Sequence, residues 1–310
     1  MTPRILVASK TCRTVMPDDE AKLFFARYGL ESDFGLLQDK KDVLGSYHAV
    51  IAGTETIGSV ELDRMKLVRV IEKFGVGLDN IDVNEARRRG IAVINMPGIN
   101  SKSVAEMALG LMLAAARRIC SGDRAVRAGN WARLKGTSLE NKTLGIIGTG
   151  SIGRILSSLV SGFCMNVVGF DLFENGEFIA AGGTYVKLET LLKESDFISI
   201  HVPLTDKTRY MIGRRELELV KTGTVLINTA RGGIVAEDAL YEFLKNHQNA
   251  CAALDVLEDE NTLKNRLMEL DNVIVTPHIA AYNDLTLQRM FESAVRNLVS
   301  FFNEKEGENA

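Results

Sequence analysis

The chain has no apolar run long enough to cross a bilayer. Its most hydrophobic stretch, Ala108 to Ala116, falls short of the about 20 residues that a spanning helix needs and runs into Arg117-Arg118. A secretory core is missing too: after Arg4 come only Ile5-Leu6-Val7-Ala8 before Ser9-Lys10. Cysteine is sparse. Cys12, Cys120, Cys164 and Cys251 are scattered, with no C-x-x-C pair. They read as reduced thiols rather than a disulfide framework, and no metal centre is expected. Neither sign of charge dominates. A formal net charge of −3 speaks against nucleic acid or an anionic membrane as partner. A small anionic ligand would have to be held by a few local cations. Repeats, low-complexity tracts and heptads are absent as well. These absences leave a cytoplasmic globular protein.

What is present points to layered α/β structure. The 310 residues are 46% hydrophobic and 25% charged, an ordinary globular mix whose length suggests two domains. Short apolar runs suit strands: Ile5–Ala8, Ala49–Ala52, Val68–Ile71, Ile91–Ile94, Thr143–Ile147, Asn166–Phe170, Phe197–Ile200, Thr224–Ile227, Ala250–Ala253 and Val273–Val275. Amphipathic stretches such as Val83–Arg89, Ser151–Ser161 and Glu237–Asn246 separate them. That alternation predicts parallel sheets built from βαβ units, with strands covered on both faces. Pro97-Gly98 marks a boundary before a long helical pattern from Ser101 to about Arg118, and a second helical piece covers Gly122–Ala128. The last helix, from Asn283 to about Phe302, has no sheet of its own and is expected to return to the first domain.

The sharpest motif is Gly148-Thr-Gly150-Ser-Ile-Gly153. It follows an apolar strand pattern and opens a helical one, as a dinucleotide fingerprint requires. Gly148 allows the tight turn, Gly150 lets a pyrophosphate approach the backbone, and Gly153 lets helix and strand pack closely. Helix-terminal amides near Ser151 and Ile152 then face the phosphates. The next strand pattern ends at Asp171, near the expected distance of about 20 residues from the first glycine. A carboxylate there accepts from the ribose hydroxyls of NAD and repels the extra phosphate of NADP. Leu172 and Phe173 bring no offsetting cation, so NAD is the expected cofactor. His201, in His-Val202-Pro203, follows a strand and is placed on the cofactor side, with the backbone near Val202 as the contact. His48 and His247 read as surface or packing residues.

Three later segments each set polar residues just past an apolar run, at the edge of a parallel sheet where ligands bind. They are Val225-Leu-Ile-Asn-Thr229-Ala230-Arg231-Gly-Gly, Ala252-Ala-Leu-Asp255-Val-Leu-Glu-Asp-Glu260, and Val273-Ile-Val-Thr-Pro-His278-Ile-Ala280-Ala. With Lys73-Phe-Gly75-Val76-Gly77-Leu-Asp-Asn-Ile-Asp82 and Pro97-Gly-Ile-Asn100-Ser-Lys-Ser-Val-Ala-Glu106, the chain resembles the D-isomer-specific 2-hydroxyacid dehydrogenases along nearly its whole length. The phosphoglycerate dehydrogenase branch is the nearest in look.

The resemblance implies an NAD-dependent oxidoreductase. His278 is implied as the proton carrier, an assignment that suits imidazole chemistry near neutral pH. A carboxylate beside it would fix its tautomer, and Glu260 stands at the family spacing from Asp255, with Glu258 as a nearby alternative. Arg231 would bind the substrate carboxylate. Asp255 is implied beside the nicotinamide, and Thr229, Ala230, Pro203 and Ala280 along the cofactor. Gly75, Val76, Gly77, Asn100 and Lys73 are implied at the substrate. The branch often carries arginine at the Lys73 position, which weakens the case for a phosphorylated substrate. The implied fold is a Rossmann-type doubly wound sheet over residues 100–282 plus a smaller flavodoxin-like substrate domain over 1–99 and 283–310. The expected assembly is a homodimer built on the helix Ser101–Arg118. The expected substrate is a small D-2-hydroxy or 2-oxo acid. The best guess is 3-phosphoglycerate, the alternative a glyoxylate or hydroxypyruvate reductase, and the rival from another class an NAD-sensing corepressor-like interaction protein. The family's larger relatives carry a C-terminal regulatory domain, and none is expected here.

Overall fold

Strands form where β-branched and small apolar residues run unbroken. The computed structural model describes residues 2–260, 262 and 264–307, with side chains described to 304. It divides into two compact units, residues 1–100 with 282–310, and residues 101–281.

The first unit holds β1 (Arg4–Val7), β2 (Glu31–Phe34), β3 (Ala49–Ala52), β4 (Val70–Lys73) and β5 (Ala92–Ile94). They form one parallel sheet in the order β2-β1-β3-β4-β5, the flavodoxin-like winding. Alternate side chains feed two cores. Ile5, Val7, Ala49, Ile51 and Val70 lie in one, while Leu6, Ala8, Val50, Ala52 and Ile71 lie in the other. The final helix, Asp284–Gly307, covers the first face. Leu287, Met290, Phe291, Ala294, Val295, Leu298 and Phe302 recur at helical spacing and are all buried there. The apolar-run criterion misses β2, because Glu31-Ser-Asp-Phe34 is a polar edge strand that pairs on one side only.

The second unit holds β6 (Thr143–Ile147), β7 (Asn166–Phe170), β8 (Thr184–Tyr185), β9 (Phe197–Ile200), β10 (Val225–Asn228), β11 (Cys251–Leu254) and β12 (Val273–Val275). All pair in parallel, in the order β12-β11-β10-β9-β6-β7-β8. The chain winds outward from β6 to β8, returns to β9 on the other side of β6, and winds outward again. The reversal between β6 and β9 is the switch point where doubly wound sheets bind ligands. The helix Ser101–Ala116 is apolar nearly all round and buries Val104, Ala105, Ala108, Leu111, Met112, Ala115 and Ala116. It stops before Arg118, which takes left-handed φ 54° and opens a separate helix, Ile119–Arg127. The short edge strand β8 is the second strand that apolar runs do not reveal.

A carboxyl is sealed inside the first unit. Glu72 on β4 has no solvent exposure and its Oε1 accepts Asn297 Nδ2 at 2.9 Å, while Oε2 has no partner among the described residues. Burial pushes it from its ordinary 4.5 up to about 8. Between those values the unfolded chain gives up a proton that the folded unit retains, so stability falls as pH rises through that window. Thermal melts of wild type and Glu72→Gln from acid to mildly alkaline pH should show the wild type losing ground steadily. Parallel curves would contradict the buried neutral carboxyl.

Candidate active site

The C-terminal edge of the second sheet is built around three glycines. At Gly148, with φ +94°, a Cβ would come within 2.7–2.9 Å of the backbone of His201 and Val202, so the ends of β6 and β9 meet there. At Gly153 a Cβ would fall on the Gly148 carbonyl, which holds the helix Ser151–Leu159 tight against its strand. Above Gly150 nothing lies within 4 Å. The first-turn amides of that helix, from Ser151 and Ile152 onward, have no intrahelical acceptor.

Asp171, past β7, is half-buried and aimed back at the turn. Its Oδ2 accepts Thr149 N at 2.7 Å and Thr149 Oγ1 at 3.2 Å, and Oδ1 accepts Leu172 N at 2.7 Å. Tyr185 Oη joins Thr149 Oγ1 at 2.6 Å, and Ser101 Oγ joins Ser151 Oγ at 2.7 Å. Tyr185 does not stand out in the sequence, and Ser101 lies in a motif without its role being legible there, because each acts as a partner of a residue of the glycine motif. Two buried polar atoms on the same edge, His201 Nδ1 past β9 and Thr229 Oγ1 past β10, have no partner among the described residues. His201 Nε2 meets Ser199 Oγ at 2.8 Å. The residue is half-buried as a whole, but its ring is enclosed, and burial drives the imidazole down to about 3. It is neutral near pH 7 and unsuited to carry a proton. The open space over Gly150, the unpaired helix amides and the two orphaned polar atoms fit a dinucleotide.

The second cluster hangs on Asp255, just past β11. Its carboxylate is fully buried. Oδ1 accepts Thr276 Oγ1 at 2.6 Å and Ile279 N at 2.9 Å, and Oδ2 accepts Ala280 N at 2.8 Å. Its own carbonyl accepts His278 N at 2.9 Å. Ser103 Oγ donates to Ala280 O at 2.6 Å from the neighbouring helix. The loop past β12 is thereby fixed, and His278 is held at φ +53°. Both oxygens of Asp255, the residue implied beside the nicotinamide, are turned onto this loop, because a buried carboxylate needs such donors.

His278 Nδ1 lies 2.9 and 3.0 Å from the two oxygens of Glu260. The pair is about two-fifths exposed on each side. Glu258 is engaged elsewhere, its Oε2 accepting Tyr210 Oη at 2.9 Å, so of the two candidate carboxylates Glu260 is the one at the imidazole. A carboxylate accepts only from a protonated nitrogen, so Nδ1 carries the hydrogen and Nε2 is left for exchange with a ligand.

Arg231 sits in a turn past β10 that Asn228 holds. Asn228 Nδ2 donates to Arg231 O at 2.8 Å and Asn228 Oδ1 accepts Ala230 N at 3.0 Å. A Cβ on Gly232 would fall on the Leu257 carbonyl, so the Arg231 turn and the Glu260 loop touch backbone to backbone. Arg231 Nη1 also donates to Ala230 O at 2.7 Å.

The substrate residues expected in the first unit lie at the end of its own sheet. Gly75 O accepts Met96 N at 3.1 Å and Val76 O accepts Asn95 Nδ2 at 2.6 Å. Both carbonyls are thereby tied back into their own unit. Lys73 departs from expectation. It ends the fully buried strand β4, is only 7% exposed, and its ammonium donates to Gly53 O and, at 2.6 Å, to Asn80 Oδ1. It is a strut between loops rather than a cation presented to a ligand. Asn100 is half-buried immediately before the helix Ser101–Ala116. Val202 and Ala230 are half-buried, Pro203 is exposed and Ala280 buried. Among the described residues no group of three or more His, Cys, Asp or Glu side chains is placed to hold a metal ion.

Comparison with known proteins bears on this geometry. Residues 109–280 match the model of the D-isomer specific 2-hydroxyacid dehydrogenase NAD binding domain. The chain is 41% identical over 258 residues to a glyoxylate reductase of Thermococcus litoralis, covering 80% of this chain and 78% of that one. It is 44% identical over 236 residues to a D-3-phosphoglycerate dehydrogenase of Methanocaldococcus jannaschii, covering 75% of this chain and 45% of the relative. In three dimensions it matches a D-lactate dehydrogenase of Aquifex aeolicus solved with NAD and lactic acid. That match has a TM-score of 0.83 and 30% identity, over 97% of this chain and 96% of that one.

The glycines separate folding from binding. Gly150 has open space and φ −63°, so Gly150→Ala should melt as the wild type does yet bind NADH at least tenfold more weakly. Gly153→Ala should lower the melting temperature, because its methyl meets backbone. Thermal melts with NADH titration check both, and equal NADH affinity for Gly150→Ala and wild type would contradict the cradle.

Proposed function

The chain belongs to the D-isomer specific 2-hydroxyacid dehydrogenases, which use NAD, and from that premise we propose the roles of its residues and the class of its substrate. The observation that carries the reading is the His278–Glu260 pair fixed at the end of β12, on the same sheet edge as the glycine cradle. When bound in the cradle of Gly148, Gly150 and Gly153, NAD would supply the hydride acceptor for oxidation and NADH the donor for reduction. The protein must handle the proton. His278 Nε2 accepts the hydroxyl proton of a 2-hydroxy acid, or returns it to the carbonyl oxygen of a 2-oxo acid, while Glu260 holds Nδ1–H and stabilises the imidazolium. Arg231 pairs with the substrate carboxylate and polarises the carbonyl. In the first unit, Gly75, Val76 and Gly77 are the substrate-binding candidates. Asp171 takes the ribose hydroxyls, and the amides of Ser151, Ile152 and Gly153 take the pyrophosphate.

Two substrate readings compete. 3-Phosphoglycerate is supported by the relative from Methanocaldococcus jannaschii, and it needs a cation for its phosphate. The internal engagement of Lys73 favours the second reading, a shorter unphosphorylated acid such as glyoxylate or hydroxypyruvate. Following NADH absorbance across a panel of 2-oxo acids and 3-phosphoglycerate decides between them. His278→Ala should lower kcat by at least about a hundredfold and leave NADH binding intact. NADH binding without turnover of any panel member would instead support an interaction protein.

The proposed assembly is a homodimer through the Ser101–Ala116 helix and the segment after it. The helix Ile119–Arg127 buries none of its residues, and Ile119, Val126, Trp131 and Leu134 are exposed, Trp131 by 83%. Such an apolar patch marks an interface. The four free thiols favour a reducing, cytoplasmic setting. Sedimentation should give twice the chain mass of 34.0 kDa, and Trp131→Glu should shift the protein towards monomer. A wild type that sediments as a monomer would overturn this assembly.

A further inference from the structure

The loop that carries Glu260 leaves β11 and returns to β12, and one side chain from another element grips it on both sides of that residue. Glu237 is the first residue of the helix Glu237–Asn246. Its Oε1 accepts the backbone N–H of Glu258 at 2.6 Å, and its Oε2 accepts Asn265 Nδ2 at 2.6 Å. An acid that merely capped its helix would turn back to the amides of its own first turn. Glu237 turns both oxygens outward to the loop.

The far anchor is itself fixed. Asn265 Oδ1 accepts Leu267 N at 3.0 Å, capping the short turn Arg266–Glu269, whose Leu267 is buried in the core of the unit. The near anchor is fixed as well, since the side chain of Glu258 is taken by Tyr210. Glu260 lies between the anchors with its carboxylate about two-fifths exposed. Short charge-assisted hydrogen bonds are the strong kind, and losing them would let the loop sample positions from which Glu260 no longer meets Nδ1.

We infer that Glu237 is a positioning residue for the reaction: by clamping Glu258 and Asn265 it holds Glu260 against His278, without touching substrate or cofactor. The inference rests on the reading of His278 and Glu260 as the proton-handling pair.

A double-mutant cycle on the intact protein tests it. The kcat is measured with saturating NADH and the best 2-oxo acid of the panel, for wild type, Glu237→Ala, Glu260→Gln and the double variant. Glu237→Ala should lower kcat roughly ten- to a hundredfold, the scale of a misplacement of about 1 Å, with NADH affinity unchanged. In the Glu260→Gln background it should cost nothing further. Glu237→Gln, which keeps an acceptor for Glu258 N, should recover part of the loss. Should Glu237→Ala fail to fold, Asn265→Ala, which releases the far anchor together with the cap on Leu267 N, should give the same non-additive pattern. Equal losses in both backgrounds, or no loss at all, would overturn the clamp alone. A Glu260→Gln variant with full kcat would overturn the clamp together with the proton-handling pair on which it depends.

Discussion

Burying a carboxylate costs free energy unless donors surround it, and in this chain that requirement is met by the loop that carries His278. Asp255 has no solvent contact, so its charge must be satisfied from within. Thr276, Ile279 and Ala280 satisfy it, and the residue they enclose is His278. A non-glycine residue at φ +53° is uncommon and persists only where its surroundings over-determine it. Here the Asp255 carboxylate, the Asp255 carbonyl and the Ser103 hydroxyl do so together. The orientation of the imidazole is therefore a consequence of how β11 and β12 end.

The parallel sheet explains why so many separate segments contribute. In a doubly wound sheet every strand runs the same way, so every strand ends on the same edge. Gly148 follows β6, Asp171 follows β7, His201 follows β9, Arg231 follows β10, Asp255 follows β11 and His278 follows β12. The reversal of order between β6 and β9 opens that edge beside the glycine turn. Among the supporting polar residues, Asn228 braces the Arg231 turn from within, and Glu237 and Asn265 tie neighbouring segments together. A site made from loops gains its rigidity from such ties.

The legible part of this arrangement was whatever depends on local pattern. Ala49–Ala52 and Phe197–Ile200 announce buried strands because each face of them must be apolar. β2 and β8 do not, because an edge strand such as Glu31–Phe34 is half solvated and needs no apolar run. The glycine motif is legible because a close approach admits no side chain. Glu260 is legible by its spacing from Asp255, yet only the fold separates it from Glu258. Burial and partner choice are not written locally. Lys73 sits in a motif that invites a ligand, but the end of β4 seals it beneath Gly53 and Asn80. Asp255 likewise serves the loop of β12, a partner distant in sequence. Asn228 and Asn80 lie inside motifs and Glu237 outside any, yet for all three the value lies in what they meet after folding.

At the centre of the account is the claim that Glu260 fixes the Nδ1–H tautomer of His278 and frees Nε2 for the substrate. Nitrogen-15 chemical shifts of the imidazole rings, with the His278 signal assigned by its loss on substitution, report which ring nitrogen bears the hydrogen in the neutral form. The account predicts a hydrogen on Nδ1 and a bare Nε2. A His278 ring protonated on Nε2 would contradict it.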